Sequence, residues 1–188
     1  NSMTLQNQFL VAMPDLDDPF FQRSVVYICE DNEQGSMGLV INQPTDLSLA
    51  EMMAKMNHLM PTEPKYPEKM IFAGGPVNIE QGFVLHTVTD KNYRYSFAIN
   101  DDLMLTTSSD ILLSLNSDAA PKEYFIALGC ALWQPEQLAE EIKNNDWLTV
   151  PADYDILFKL PFDQRWQAAN KLLGINQSYE LSHEMGRA

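Results

Sequence analysis

Short apolar runs of β-branched and aromatic residues recur along the chain, each cut by proline, glycine or a turn-forming acid, and this punctuation constrains the fold more than any other feature. Phe9-Leu10-Val11-Ala12-Met13 stops at Pro14, where a ladder donor is lost. Asp18-Pro19 then offers an N-cap and a first-turn proline, so a short helical turn carrying Phe20, Phe21 and Arg23 is expected. Residues 24–29 and 37–41 flank the turn-like Asp31-Asn32-Glu33-Gln34-Gly35 and read as a hairpin. Further strands are expected over 70–73, 82–88, 93–99, 103–107 and 123–128.

Helical signals fall between these runs. Ser48-Leu49-Ala50-Glu51 has the pattern of a capping box, opening a helix that reaches about Met56 and buries Met52 or Met53 with Met56. Pro61, Pro64 and Pro67 make 57–68 an irregular connection. A second helix begins at Ser108 or Ser109, and a third near Pro135 carries Leu138 and Ile142. Residues 147–150 and 156–160 are ambiguous between strand and helix. In the last helix Phe162, Trp166, Ala169 and Leu173 form one stripe, with Gly174 placed as a left-handed cap. Strands grouped in hairpins with helices between them predict an α+β class over a parallel, doubly wound sheet.

The 188 residues fit one domain over 3–188, with Asn1-Ser2 ahead of Met3 reading as an expression-tag remnant. Twenty-six acidic and twelve basic residues give a formal charge of −14. That surplus repels phosphate backbones and anionic membranes, and the basic residues are scattered singly, which argues against direct nucleic-acid binding. The N-terminal stretch lacks the pattern of a signal peptide, and the longest apolar run, 125–133, is about half the ~20 residues a spanning helix needs. A cytoplasmic protein with no membrane association is expected. Cys29 and Cys130 form no metal-ligand pattern with His58, His86 or His183, so free thiols are expected and no metal or cofactor. Oligomeric state is not readable from the chain.

Each group that could carry chemistry has a plainer structural reading. Gly74-Gly75-Pro76 could form an anion nest, but it lacks the Gly-Lys-Ser/Thr of a phosphate loop, and a strand-ending turn is the stronger reading. His86 could act as a general base, yet no carboxylate partner can be assigned and a hydrogen-bonded structural histidine is favoured. Arg23-Ser24 could clamp an anion, although no nucleophile elbow surrounds Ser24. Cys130 sits where an elbow could present it, but a small buried hydrophobe is favoured. Asp15, Asp17 and Asp18 lack the spacing of a calcium loop. Among Trp133, Trp147 and Trp166, Trp166 belongs to the helix stripe and Trp133 is the one placed to line a cleft. Glu136, Glu140 and Glu141 read as a solvated helix face.

Several stretches together carry a family pattern: Phe9 to Pro14 with Asp18-Pro19 and Phe21; Arg23-Ser24-Val25-Val26-Tyr27; and Gly35 with Met37-Gly38-Leu39-Val40-Ile41-Asn42 and Pro44. Later come Gly74-Gly75-Pro76-Val77, Gly82-Phe83-Val84-Leu85-His86, Asn145 with Trp147-Leu148, and Pro151-Ala152. In order and spacing, from about Phe9 to Gly174, they resemble the YqgE/AlgH family. The resemblance implies a bacterial intracellular α+β protein with a strongly bent, mostly antiparallel sheet approaching a pseudo-barrel, with flanking helices. It also carries an association with transcriptional regulation of alginate synthesis that does not extend to DNA contact. One segment departs from the family pattern, Gly-Tyr-Ala-Gly-Trp-Gly-x-Gly-Gln-Leu-Glu: Leu132, Gln134 and Glu136 stand here where it has glycine.

No complete catalytic motif is present, which weighs against an enzyme. The leading expectation is a regulatory or interaction module that binds a protein partner or small ligand through some of Arg23, Ser24, Asn42, Gly74, Gly75, His86 and Trp133. The alternative is an enzyme whose pocket gathers Arg23, Asn42, Gly74, Gly75 and His86.

Overall fold

The computed structural model describes residues 4–56, 68–115 and 117–174, and contacts group the chain into two compact units. The first joins the chain up to Asn42 with the chain from Leu132, and the second is the stretch from Gln43 to Ala131.

In the first unit β1 (Gln8–Ala12) lies between β2 (Val25–Asn32) and β10 (Trp147–Pro151), antiparallel to both. Phe9 to Ala12 are all buried, which is why the run is apolar at every position instead of alternating. The hairpin of β2 with β3 (Gly35–Val40) forms as expected, and its register slips between Ile28 and Glu30. Cys29 is the extra residue of that bulge, a device that bends a strand. The ambiguous segments resolve into β10 and the short helix α4 (Tyr154–Phe158), which Asp153 caps through the N–H of Ile156 at 3.0 Å. Helix α3 spans Gln137–Lys143.

A 3-10 turn at Phe162–Gln164 leads into α5, helical over 165–174. Ala169 and Leu173 are buried as the stripe requires, and the Trp166 indole N–H donates to Ala12 O at 3.1 Å. Gly174 is helical and has no left-handed φ, so the cap expected there does not form.

The second unit holds β4 (Pro44–Ser48), β5 (Met70–Ala73), β6 (Val77–Thr87), β7 (Ser96–Ala98), β8 (Leu103–Thr106) and most of β9 (Tyr124–Trp133). They pair in the order β7-β8-β6-β9-β5-β4, antiparallel except for the parallel pair of β5 and β9, where Ile71 faces Ile126. Strand β4 was not expected; it opens on proline and has no fully buried residue, the signature of an edge strand. Strand β6 begins earlier than expected, at Val77, and exposed Asn78, Ile79, Glu80 and Gln81 form an irregularity in its register with β9 between Val77 and Gly82. The connection expected over 57–68 lies outside the described residues, Glu68 apart.

The capping box forms as read. Ser48 accepts from the Glu51 N–H at 3.2 Å and Glu51 accepts from the Ser48 N–H at 3.1 Å, opening α1 (Leu49–Lys55). Leu49 and Met53 of α1, Ile111 and Leu112 of α2 (Ile111–Ser114), and Tyr124 and Ile126 of β9 form the core of this unit. The class is α+β, with a mostly antiparallel, strongly bent sheet. Among the described residues no helix is long and apolar enough to cross a membrane.

Candidate functional site

Of the expected site residues, Arg23, Ser24, Asn42 and Trp133 belong to the first unit, and Gly74, Gly75 and His86 to the second. In the first unit Arg23 and Asn42 meet. The Asn42 amide donates to Arg23 O at 2.9 Å, and its carbonyl accepts from the Val25 N–H at 3.0 Å. This clasp holds Arg23 at φ 56°, a left-handed conformation that costs an L-residue about 1–2 kcal/mol. The exposed Arg23 guanidinium lies 4.3 Å from the centroid of the Trp166 ring. Ser24 is buried and its hydroxyl donates to Phe20 O at 3.5 Å.

Trp133 is tied as well. Its indole N–H donates to Glu141 Oε1 at 3.1 Å, the Trp147 indole N–H reaches the same oxygen at 3.0 Å, and the Gln137 amide reaches Oε2 at 2.9 Å. Phe21 packs on both indoles, at 6.3 Å from Trp133 and 5.4 Å from Trp147. Glu141, read as a solvated face, is instead the acceptor that satisfies two buried indoles. Arg165 is buried as well; its guanidinium donates to Ile41 O and, at 3.0 Å, to Leu160 O. Burial lowers its pKa to about 10, leaving it cationic at neutral pH.

In the second unit Gly74 and Gly75 are buried, and the Gly74 N–H is committed to Leu128 O at 2.8 Å. A side chain at Gly75 would collide with the backbone of Cys130 and Ala131, while Gly129 turns through φ 80° against Gly75 O. The glycines thus serve a close backbone crossing. Cys130 is buried and its thiol pKa is pushed up by desolvation, opposed by a hydrogen bond from Asn78, which leaves little thiolate.

His86 has no exposed surface. Its Nδ1 lies 2.8 Å from Thr87 O, which can only accept, so Nδ1 carries the proton. Nε2 therefore accepts from the Thr106 hydroxyl at 2.7 Å, and Thr106 Oγ1 in turn lies 2.8 Å from Ser96 Oγ. Desolvation lowers the His86 pKa against the opposing contact with Thr87. On β9 the partner of His86 is Tyr124, and the Gly74 N–H is bonded four positions further on, at Leu128 O. At ~3.3 Å per residue that offset is about 13 Å along the strand.

Two clefts remain. The first unit has one of about 590 Å³ lined by Asp31, Glu33, Gln134 and Glu136 among others. Asp31 is already occupied, by the Leu5 N–H and the Ser36 hydroxyl, each at 2.7 Å. The second unit has one of about 430 Å³. Met52 and Lys55 of α1 and its C-cap Met56 line it at helical spacing, Ile79, Glu80, Gly82 and Val84 come from β6, and Ile126 and Leu128 from β9. Thr106 to Ser109 and the first residues of α2 supply hydroxyls and further apolar surface. Both clefts mix apolar and polar lining, but the larger carries Asp31, Glu33 and Glu136 with no cation, whereas the smaller sets Lys55 and Glu80 beside its apolar walls, so that it alone offers a ligand both signs of charge. We therefore place the candidate site in the smaller one. Helical periodicity carried a signal for it: Leu49 and Met53 take the core face, leaving 52, 55 and 56 together on the adjoining face.

Comparison with known proteins agrees with this architecture. A UPF0301 protein of Pasteurella multocida (strain Pm70) is 54% identical over 184 residues, covering 98% of this chain and 98% of its own length. A UPF0301 protein of Actinobacillus pleuropneumoniae serotype 5b (strain L20) is 45% identical, covering 92% and 93%. The solution structure of the AlgH protein from Pseudomonas aeruginosa matches with a TM-score of 0.78 at 40% identity, covering 96% of this chain and 95% of that one. A Corynebacterium diphtheriae protein shares the fold, with a TM-score of 0.67 at 21% identity over 90% and 86% of the two chains. The family model described as AlgH-like matches residues 9–178, and the chain belongs to the AlgH-like family.

Proposed function

We propose that this chain is a regulatory binding module that takes a small ligand in the cleft of its second unit, and that binding, not turnover, is its activity. One observation carries the reading: the 430 Å³ cleft places Lys55, Glu80 and hydroxyls around walls of methionine, isoleucine and leucine. Methionine walls adapt to ligands of varied shape. The groups that would serve catalysis are spent on structure, since both His86 nitrogens are hydrogen-bonded and the Cys130 thiol is buried.

A thermal-shift screen against metabolites, nucleotides and metals tests the reading when run in parallel on Gly82→Phe. Gly82 lines the cleft and an added Cβ there meets nothing within 4 Å, so the ring can enter the cleft without disturbing the strand. A true ligand raises the melting temperature of the parent by mass action and leaves Gly82→Phe unmoved. Hits that stabilise both proteins equally, or a flat response throughout, would overturn the proposal.

A further inference from the structure

We infer that the cleft of the second unit selects a small zwitterion bearing an apolar side chain, the chemistry of a free apolar α-amino acid or a short apolar peptide. This rests on the cleft reading above and adds the ligand class. Lys55 is the one cation and Glu80 the one carboxylate among the described lining residues. Thr106 is held by His86 and Ser96, and the Ser108 hydroxyl donates to Asp110 Oδ1 at 2.5 Å, so the two charges, with the hydroxyls of Thr107 and Ser109, are what the cleft offers a polar ligand. Met52, Met56, Leu112 and Ile126 offer the apolar wall.

Charge complementarity separates the candidate classes. A monoanion finds Lys55 but also Glu80, and approaches a chain of formal charge −14. A monocation is drawn in by that field and then meets Lys55. A wholly apolar ligand desolvates both charges and pairs with neither. A zwitterion feels no net long-range repulsion and gives each charge an opposite partner while its side chain covers the methionines. The volume favours one or two residues over a cofactor, being near the low end of the ~300–1,000 Å³ of ligand sites.

The test uses calorimetry with L-leucine, its analogue without the amine (4-methylpentanoate), its analogue without the carboxylate (isopentylamine) and the dipeptide L-leucyl-L-leucine. Leucine or the dipeptide should bind about tenfold more tightly than either singly charged analogue, and whichever of the two is tighter identifies the source. Lys55→Met should erase the preference over isopentylamine, and Glu80→Gln the preference over 4-methylpentanoate. Both positions are exposed, so the variants should fold. A singly charged analogue that binds as tightly as the zwitterions overturns the assignment. If its binding is lost in Gly82→Phe, the cleft itself stands as a ligand site. Absence of zwitterion binding, while other ligands give responses sensitive to Gly82→Phe, likewise overturns only the zwitterion. Zwitterion binding undiminished by Gly82→Phe overturns both readings.

Discussion

The polar groups tied down in the first unit and the charges around the cleft in the second are employed in opposite ways. Glu141 receives two indole N–H groups and a glutamine amide, Asn42 closes the turn at Arg23, and Arg165 binds the carbonyls of Ile41 and Leu160. Lys55 and Glu80 are exposed charges on the rim of apolar walls. A polar side chain consumed by the fold is costly to remove and offers a ligand little, whereas an exposed charge beside a cleft is cheap to remove and can bind. Substitutions in the two regions should therefore separate stability from affinity.

The largest loss is expected at Arg165. Arg165→Met keeps the apolar stem but strips hydrogen bonds from Ile41 O and Leu160 O, and should cost about 3 kcal/mol in urea unfolding. Glu141→Leu comes next, at about 2 kcal/mol, because two buried indoles lose their acceptor together. Its tryptophan fluorescence should change as well, and Glu141→Gln, which keeps an acceptor oxygen, should recover at least half the loss. Were Glu141→Leu as stable as the parent, the first region would not be the tied structure described.

A smaller, pH-dependent effect is expected at His86, a buried titratable group joined to the cleft wall through Thr106. Its folded-state pKa is lowered by desolvation, so the unfolded chain binds the proton more readily. Stability is complete above the unfolded value of about 6.5 and is lost as pH falls from there through the lower folded pKa. The effect is read as the difference between parent and His86→Gln in unfolding free energy at pH 7.5 and pH 5, the parent losing more stability on acidification than the variant. A parent and variant that follow parallel pH curves would remove histidine from the account.

Glu136 should respond in the other direction. It holds φ 71° at the start of α3, at a position where the family pattern has glycine. Relief of about 1–2 kcal/mol of left-handed strain exceeds the entropic cost of glycine, about 0.5–1 kcal/mol. Glu136→Gly should thus raise stability by about 0.5 kcal/mol, visible as a small rise in the urea midpoint. A loss would mean that the departure from the pattern is compensated by contacts of the Glu136 side chain.

Much of the fold was legible where a local rule decided it. The apolar run at Phe9, the hairpin around Asp31 to Gly35 and the capping box at Ser48 each depend on neighbours in the chain, and each formed. The edge strand from Pro44 and the exposed start of β6 escaped because tertiary pairing, not pattern, makes them strands. The site was less legible for the same reason. Arg23, a candidate anion clamp by residue type, and Asn42 do meet, while Glu141 reads as solvated charge in the sequence because its indole partners lie six and eight residues away. Lys55 and Glu80 belong to different elements, and only the folding of α1 against β6 and β9 places them on one cleft.

The smallest effect is expected at those two charges, and it is the sharper half of the comparison. Lys55 lies in the last turn of α1, where its charge complements the helix dipole by about 0.3 kcal/mol at an exposed site. Glu80 stands exposed on β6, with no burial for its carboxylate to offset. Lys55→Met and Glu80→Gln should each change the unfolding free energy by less than about 0.5 kcal/mol, even as ligand preference changes by an order of magnitude. A stability loss above about 1.5 kcal/mol in either variant would make that charge a structural group like Glu141, and the division between a tied region and a binding region would fail at the residue that defines it.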